Sequence, residues 1–143
     1  MEQKLNVATS IQINAGADKV WKTLTTPSLI KEYLMGADVH TDWKQGSPIG
    51  YTGEYNGKPY TDKGVILKIE SGKILQSTYL SSASGKEDKP ENYNIVTYEL
   101  SAEGNGTRLS LHQTNVSSEK EKEHLTENWN HVLGKLKEIA ERQ

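Results

Sequence analysis

The C-terminal segment restricts the fold more than any other part of the chain. Ser118-Glu119-Lys120-Glu121 is a capping box, in which the serine hydroxyl accepts from a free helical amide and the glutamate three residues on reaches back. Behind it Leu125, Trp129, Val132, Leu133, Leu136, Ile139 and Ala140 recur at helical spacing and fall on one stripe. Nothing interrupts this helix before about Arg142, so at about 1.5 Å per residue it runs roughly 35 Å, the width of a small domain. Its large apolar side chains contribute at most on the order of 10 kcal/mol on burial, at about 2 kcal/mol each. That is comparable with the whole net stability of an ordinary domain. Such a helix cannot be a tail. The rest of the chain must supply a surface that covers it.

The preceding residues read as a sheet. Leu5, Val7, Thr9, Ile11 and Ile13 alternate with polar neighbours, a strand with one buried face. Ala17 to Thr25 carries Val20, Trp21 and Leu24 at helical spacing. Pro27 then suits the first position of a second short helix, with Thr26 as its cap and Leu29, Ile30, Tyr33 and Leu34 as its apolar side. From Gly36 to Asn115 strand and turn repeat. The expected inward rows are Val39, Thr41 and Trp43; Ile49, Tyr51 and Tyr55; Val65, Leu67 and Ile69; Leu75, Ser77 and Tyr79; Val96, Tyr98 and Leu100; and Leu109, Leu111 and Gln113. Turns are expected at Lys44–Pro48, Asn56-Gly57, Ser71–Lys73 and Gly104–Gly106, with an exposed mobile loop from Ser84 to Asn92. Short turns imply antiparallel neighbours. The expectation is therefore an α+β domain spanning residues 1–143: a curved antiparallel sheet of about seven strands, with two short helices, gripping the long C-terminal helix.

Composition removes several classes of function. The net charge of −2 leaves no broad basic field for nucleic acid or an acidic membrane. With no cysteine, disulfides, thiolate catalysis and cysteine-zinc sites are excluded. The N-terminus MEQKLNVATSI lacks a signal pattern, and no apolar run approaches the roughly 20 residues of a membrane span. A cytoplasmic location is the expectation that follows.

No catalytic motif is present: there is no GxSxG elbow, phosphate loop or HExxH helix. His124 and His131 lie about 10 Å apart along the helix, too far to share one metal directly. Asp38, His40 and Asp42 have strand spacing that aims them one way, a pattern better read as a solvated face than as a metal site. His112 is out of phase with Leu109 and Leu111 and should face solvent, and Glu119 to Glu123 reads as a solvated helix start. No cofactor is implied.

The aromatic residues carry more information. Phenylalanine is absent, against seven tyrosines and three tryptophans, so every buried aromatic brings a polar tip that needs a partner. Trp43, Tyr51, Tyr79, Tyr98 and Trp129 fall on the rows assigned inward, joined by Gln113. They either fill a core or form a pocket with apolar walls and a few polar tips, the usual character of a small-molecule site.

The same order of elements, with particular residues, resembles the START-like superfamily, also called SRPBCC or helix-grip. The carrying stretches are Ala17-Asp18-Lys19-Val20-Trp21 with Leu24 and Pro27, Asp42 to Ile49, Lys63 to Leu67, Tyr93 to Leu100, Gly106-Thr107-Arg108-Leu109 and Asn128-Trp129. Within the superfamily the chain looks like the branch named after the activator of heat-shock-protein-90 ATPase and the calicheamicin self-resistance protein. Gly16 stands where that branch often has proline, and Tyr33 where many members have tryptophan. The resemblance implies a cavity between sheet and long helix that takes apolar molecules. Two functions are thus expected. The first is binding of a small apolar or aromatic molecule by Trp43, Tyr51, Tyr79, Tyr98, Gln113 and Trp129. The alternative is a module that stimulates a chaperone ATPase, which the absence of any further segment in the sequence makes the weaker expectation.

Overall fold

Each alternating run of the sequence becomes a strand, and the turns between them set which strands are neighbours. The computed structural model describes residues 5–82 and 85–142. Ser84, where the loop of residues 84–92 was expected to begin, lies outside the described residues, as do the first four residues of the N-terminus. In chain order the elements are β1 (Leu5–Ile13), α1 (Ala17–Thr25), α2 (Pro27–Tyr33), β2 (Asp38–His40), β3 (Pro48–Tyr55), β4 (Lys58–Glu70), β5 (Ile74–Tyr79), β6 (Asn94–Glu103), β7 (Gly106–Val116) and α3 (Glu119–Glu141). The strands form one curved antiparallel sheet in the order β1-β7-β6-β5-β4-β3-β2. Helices α1 and α2 carry the chain from β1 at one edge to β2 at the other.

α3 lies against β1 and β7 and touches α1 and α2. Val132, Leu133, Leu136, Ile139 and Ala140 are buried, and Leu125 and Trp129 partly so. Its start is half of the expected capping box. The Glu121 amide donates to the Ser118 hydroxyl at 3.1 Å, but the Glu121 carboxylate accepts from Ser117 rather than reaching back to Ser118. The far end is tied down by the Asn14 amide donating to Glu141 at 2.7 Å and by Arg142 donating to Glu32 at 2.7 Å.

Three local expectations are corrected. Thr26 occupies the N-cap position of α2 in extended conformation, yet its side chain makes no cap hydrogen bond; its carbonyl alone accepts from Leu29 and Ile30. β2 stops at His40, because the chain turns through Trp43 at φ +62° toward the turn before β3. The largest correction concerns β4. Val65 and Leu67 are 40% and 39% exposed on the outer face, while Asp62, Gly64 and Ile66 point inward. A register shift between Ile66 and Lys68 then brings Ile69 back against the core. The hairpin explains the phase. Asn56 and Gly57 both have positive φ, as a two-residue type I′ turn requires, and that turn pairs Tyr51 with Asp62 and Ile49 with Gly64. Residues directly opposite share a face, so the ladder overrides the hydrophobic alternation further along the strand.

The described part of the loop before β6 is exposed but anchored. Asp88 accepts from Lys63 and, at 2.6 Å, from the Tyr93 hydroxyl, and a short 3₁₀ turn spans Pro90–Asn92.

Candidate functional site

The two halves of α3 meet the sheet differently. Its C-terminal half drives Leu133, Leu136 and Ile139 into the core against Ile13, Val20 and Leu109. Beside its N-terminal half a pocket of about 210 Å³ remains. Leu125, Asn128, Trp129 and Val132 of α3 form one wall, and Leu34, Met35 and Ala37 of the link between α2 and β2 form another. The floor is the inner face of the sheet: Tyr51, Tyr60 and Asp62 from the β3–β4 hairpin, Leu75, Ser77 and Tyr79 from β5, Val96 and Tyr98 from β6, and Gln113 from β7. Strand register assembles that floor, since Ser77 stands opposite Val96 and Val96 opposite Gln113, while Leu75 stands opposite Tyr98.

The polar groups on the wall divide into occupied and open ones. The Trp129 indole N–H donates to the Gln113 carbonyl oxygen at 2.6 Å, linking α3 to β7. An indole nitrogen can only donate, so this bond fixes the amide and turns the Gln113 NH₂ elsewhere. The Tyr79 hydroxyl donates to Asp62 Oδ2 at 2.5 Å. Asp62 Oδ1 accepts from the Ser82 amide at 2.8 Å and from the Ser82 hydroxyl at 3.2 Å. The rings pack edge to face, Tyr51 on Tyr79 with centroids 6.1 Å apart and Tyr98 on Trp129 at 6.0 Å. The hydroxyls of Tyr51 and Tyr98 and the Gln113 NH₂ have no hydrogen-bond partner among the described residues. No fully enclosed side-chain polar atom there is left unpaired, so these three groups open onto the pocket, as does the Ser77 hydroxyl, which has no hydrogen-bond partner among the described residues either.

Burial pushes the Tyr51 hydroxyl up to about 12, and the charge of Asp62 adds to the effect. Tyr79 is pushed up by burial and then by its bond to Asp62, and Tyr98 by burial and then by Tyr51. Buried Tyr33, which donates to the Leu24 carbonyl at 3.1 Å, is pushed well up by burial too. All four hydroxyls are therefore neutral donors at neutral pH. Because their folded values exceed the unfolded value near 10, they contribute stability that is whole below about pH 10 and lost as pH rises through the folded values. Absorbance at 295 nm is expected to show a delayed class of tyrosines that ionise only near or beyond about pH 12, together with unfolding. Titration of all seven tyrosines around pH 10 in a protein that stays folded would contradict this burial.

Of the six residues singled out from the sequence, Tyr51, Tyr79, Tyr98, Gln113 and Trp129 lie on this one wall. Trp43 lies apart, partly buried against the core, because β2 ends before it and the chain turns there. Sequence reasoning missed Asp62, Tyr60, Ser77 and the Leu34–Ala37 link. A signal for Asp62 existed: counting outward from Asn56-Gly57 places it directly opposite Tyr51. Among the described residues no three His, Asp or Glu side chains converge as metal ligands. His40 instead bonds the Thr52 hydroxyl at 3.0 Å, and Asp38 accepts from Lys31 at 3.2 Å. No helix among the described residues is long and apolar enough to cross a membrane.

Known structures share this fold. ChR145 from Cytophaga hutchinsonii is 45% identical, with 99% of this chain and 97% of that chain covered and a TM-score of 0.86. The Aha1 dimer from Colwellia psychrerythraea is 21% identical, covering 96% of each chain at a TM-score of 0.75. CalU16 from Micromonospora echinospora is 21% identical, covering 96% of this chain and 85% of that one at 0.71. At 21% these last two speak to the fold alone. No curated protein matches the sequence. Residues 14–141, nearly the whole helix-grip architecture from the end of β1 to the end of α3, match the family described as Activator of Hsp90 ATPase homolog 1-like protein, and the chain belongs to that family.

Proposed function

We propose that this domain binds a small, largely apolar molecule in the pocket between α3 and the sheet. The observation that carries the reading is the set of open polar groups on a wall made mostly of aromatic rings and aliphatic side chains. The hydroxyls of Tyr51 and Tyr98 and the NH₂ of Gln113 face one space of about 210 Å³, and Tyr98 and Gln113 are only 8% and 5% exposed. Groups that open onto a pocket bond equally to water or to a ligand with matching polar atoms, and the apolar area around them favours the ligand. Tyr79 is already committed to Asp62, and the Gln113 carbonyl to Trp129, so these two contacts hold the wall in shape.

The test is a screen of small aromatic and apolar compounds by thermal shift and tryptophan fluorescence. Trp129 is the tryptophan in the wall, and Trp21 and Trp43 lie outside it. Hits should change the fluorescence of the wild type and leave that of Trp129→Phe nearly unchanged. Tyr98→Phe should weaken a hit that carries a hydrogen-bonding group by about fivefold to tenfold, the worth of one such bond. Hits that respond equally in both variants would place binding elsewhere.

A chaperone-directed role is the second reading, favoured by the family description and by the exposed apolar pair Val65 and Leu67 on the outer face. Its measure is stimulation of a chaperone ATPase. That stimulation should survive Tyr98→Phe and fall on replacement of Val65 and Leu67 by lysine.

A further inference from the structure

We infer that the ligand of this pocket is an organic cation, an amine or quaternary ammonium group carried on an apolar body. The inference rests on the pocket reading above and names the chemical class it selects. Asp62 is the one charged residue among the described residues that line the pocket, and it is only 8% exposed. Its neighbour Lys63 points to the opposite face and pairs with Asp88. The described ion pairs include none to Asp62. The three hydrogen bonds it accepts among the described residues come from neutral donors: the Tyr79 hydroxyl, the Ser82 amide and the Ser82 hydroxyl. These bonds hold the carboxylate in place without cancelling its charge.

The surroundings add to that field. Tyr51, Tyr60, Tyr79, Tyr98 and Trp129 present five aromatic rings to the same space. Ring faces carry partial negative charge and attract a cation within about 6 Å of the centroid, most strongly where water is excluded. A carboxylate inside an aromatic wall thus gives an ammonium group two sources of attraction and repels a carboxylate or phosphate. Hydrogen bonds from neutral donors leave the field of the carboxylate in place, which is the reason a pocket built this way favours a positive guest. The open hydroxyls of Tyr51 and Tyr98 supply acceptor lone pairs for an N–H donor, and the hydrophobic part of the guest meets Leu75, Val96 and Val132.

The experiment compares two probes of equal shape, benzyltrimethylammonium and its uncharged carbon isostere neopentylbenzene, by fluorescence titration and calorimetry on the full chain. The wild type should bind the cation at least tenfold more tightly. Asp62→Asn keeps the side-chain shape and removes the charge. It should weaken the cation at least tenfold more than the neutral probe, since the loss of one acceptor oxygen acts on both probes alike while the loss of charge acts on the cation alone. Equal or tighter binding of the neutral probe by the wild type overturns the inference and leaves the pocket reading standing. Equal loss of both probes in Asp62→Asn also overturns it, since the residue would then act only on the pocket's shape. Should that variant fail to fold, the wild-type comparison decides alone. If neither probe binds at millimolar concentration, the pocket reading falls and this inference with it.

Discussion

Deleting α3 by ending the chain at Ser118 is expected to abolish cooperative unfolding altogether. Val132, Leu133, Leu136 and Ile139 of α3 are all 2% exposed or less. Burying four such side chains contributes roughly 8 kcal/mol at about 2 kcal/mol each, an upper figure because unfolded chains already hide part of their surface. That amount spans much of the about 5–15 kcal/mol that holds an ordinary domain folded. The loss is compounded on the other side of the contact, where Ile13, Val20, Leu24 and Leu109 would face water. Circular dichroism at 222 nm during heating is the direct measurement. The full chain should give one sigmoidal transition and the truncated chain a featureless slope. A truncated protein with a sharp transition near that of the full chain would show that the sheet is stable without its helix.

Ile66→Ala is expected to cost about 2–5 kcal/mol, and Leu67→Ala less than about 1 kcal/mol, although the two residues are adjacent. Ile66 is fully buried and Leu67 is 39% exposed on the opposite face. Ile66 stands opposite Ser77 in the ladder, so truncating it opens a cavity beneath the pocket floor, whereas Leu67 loses mostly solvent-facing surface. Urea unfolding of both variants, with the midpoint change read at constant slope, separates the two. Equal costs, or the reverse order, would place β4 in the other phase and take Asp62 out of the pocket wall. The same measurement therefore bears on the site as well as on the fold.

What could be read in advance was what local chemistry governs. The α3 stripe and its serine cap, Pro27 at the start of α2 and the alternation in β1, β5, β6 and β7 depend on residues a few places apart. Their consequences are visible in any window of that size. The placement of Tyr79, Tyr98, Gln113 and Trp129 followed from those periods. Trp43 was misplaced because alternation ran on past His40, where the chain in fact turns with positive φ.

β4 shows where local pattern and turn geometry compete. Val65, Leu67 and Ile69 make a clean apolar row, but the Asn56-Gly57 turn counts the strand from its other end and sends Asp62, Gly64 and Ile66 inward. Both rows cannot face the core. The ladder decides up to Ile66, and a register shift lets Ile69 rejoin the core afterwards. The turn was legible; which of the two signals prevails was not, because a hydrogen-bonded ladder commits the whole hairpin at once while each apolar side chain contributes separately.

By itself, then, the sequence determined the elements, their order and the need for α3 to lie on the sheet, because hydrophobic period and capping act over a few residues. Only the tertiary structure decided what stands beside what. Gln113 and Trp129 meet across 2.6 Å from different elements, and Tyr79 and Ser82 converge on a carboxylate that local rules place in water. The pocket exists because the C-terminal half of α3 seats fully against the core, while beside its N-terminal half Trp129 bridges to the sheet and the side chains around it leave a space unfilled. That space is set by the sum of side-chain volumes from five strands and two helix-bearing segments, a quantity no single stretch of the chain contains.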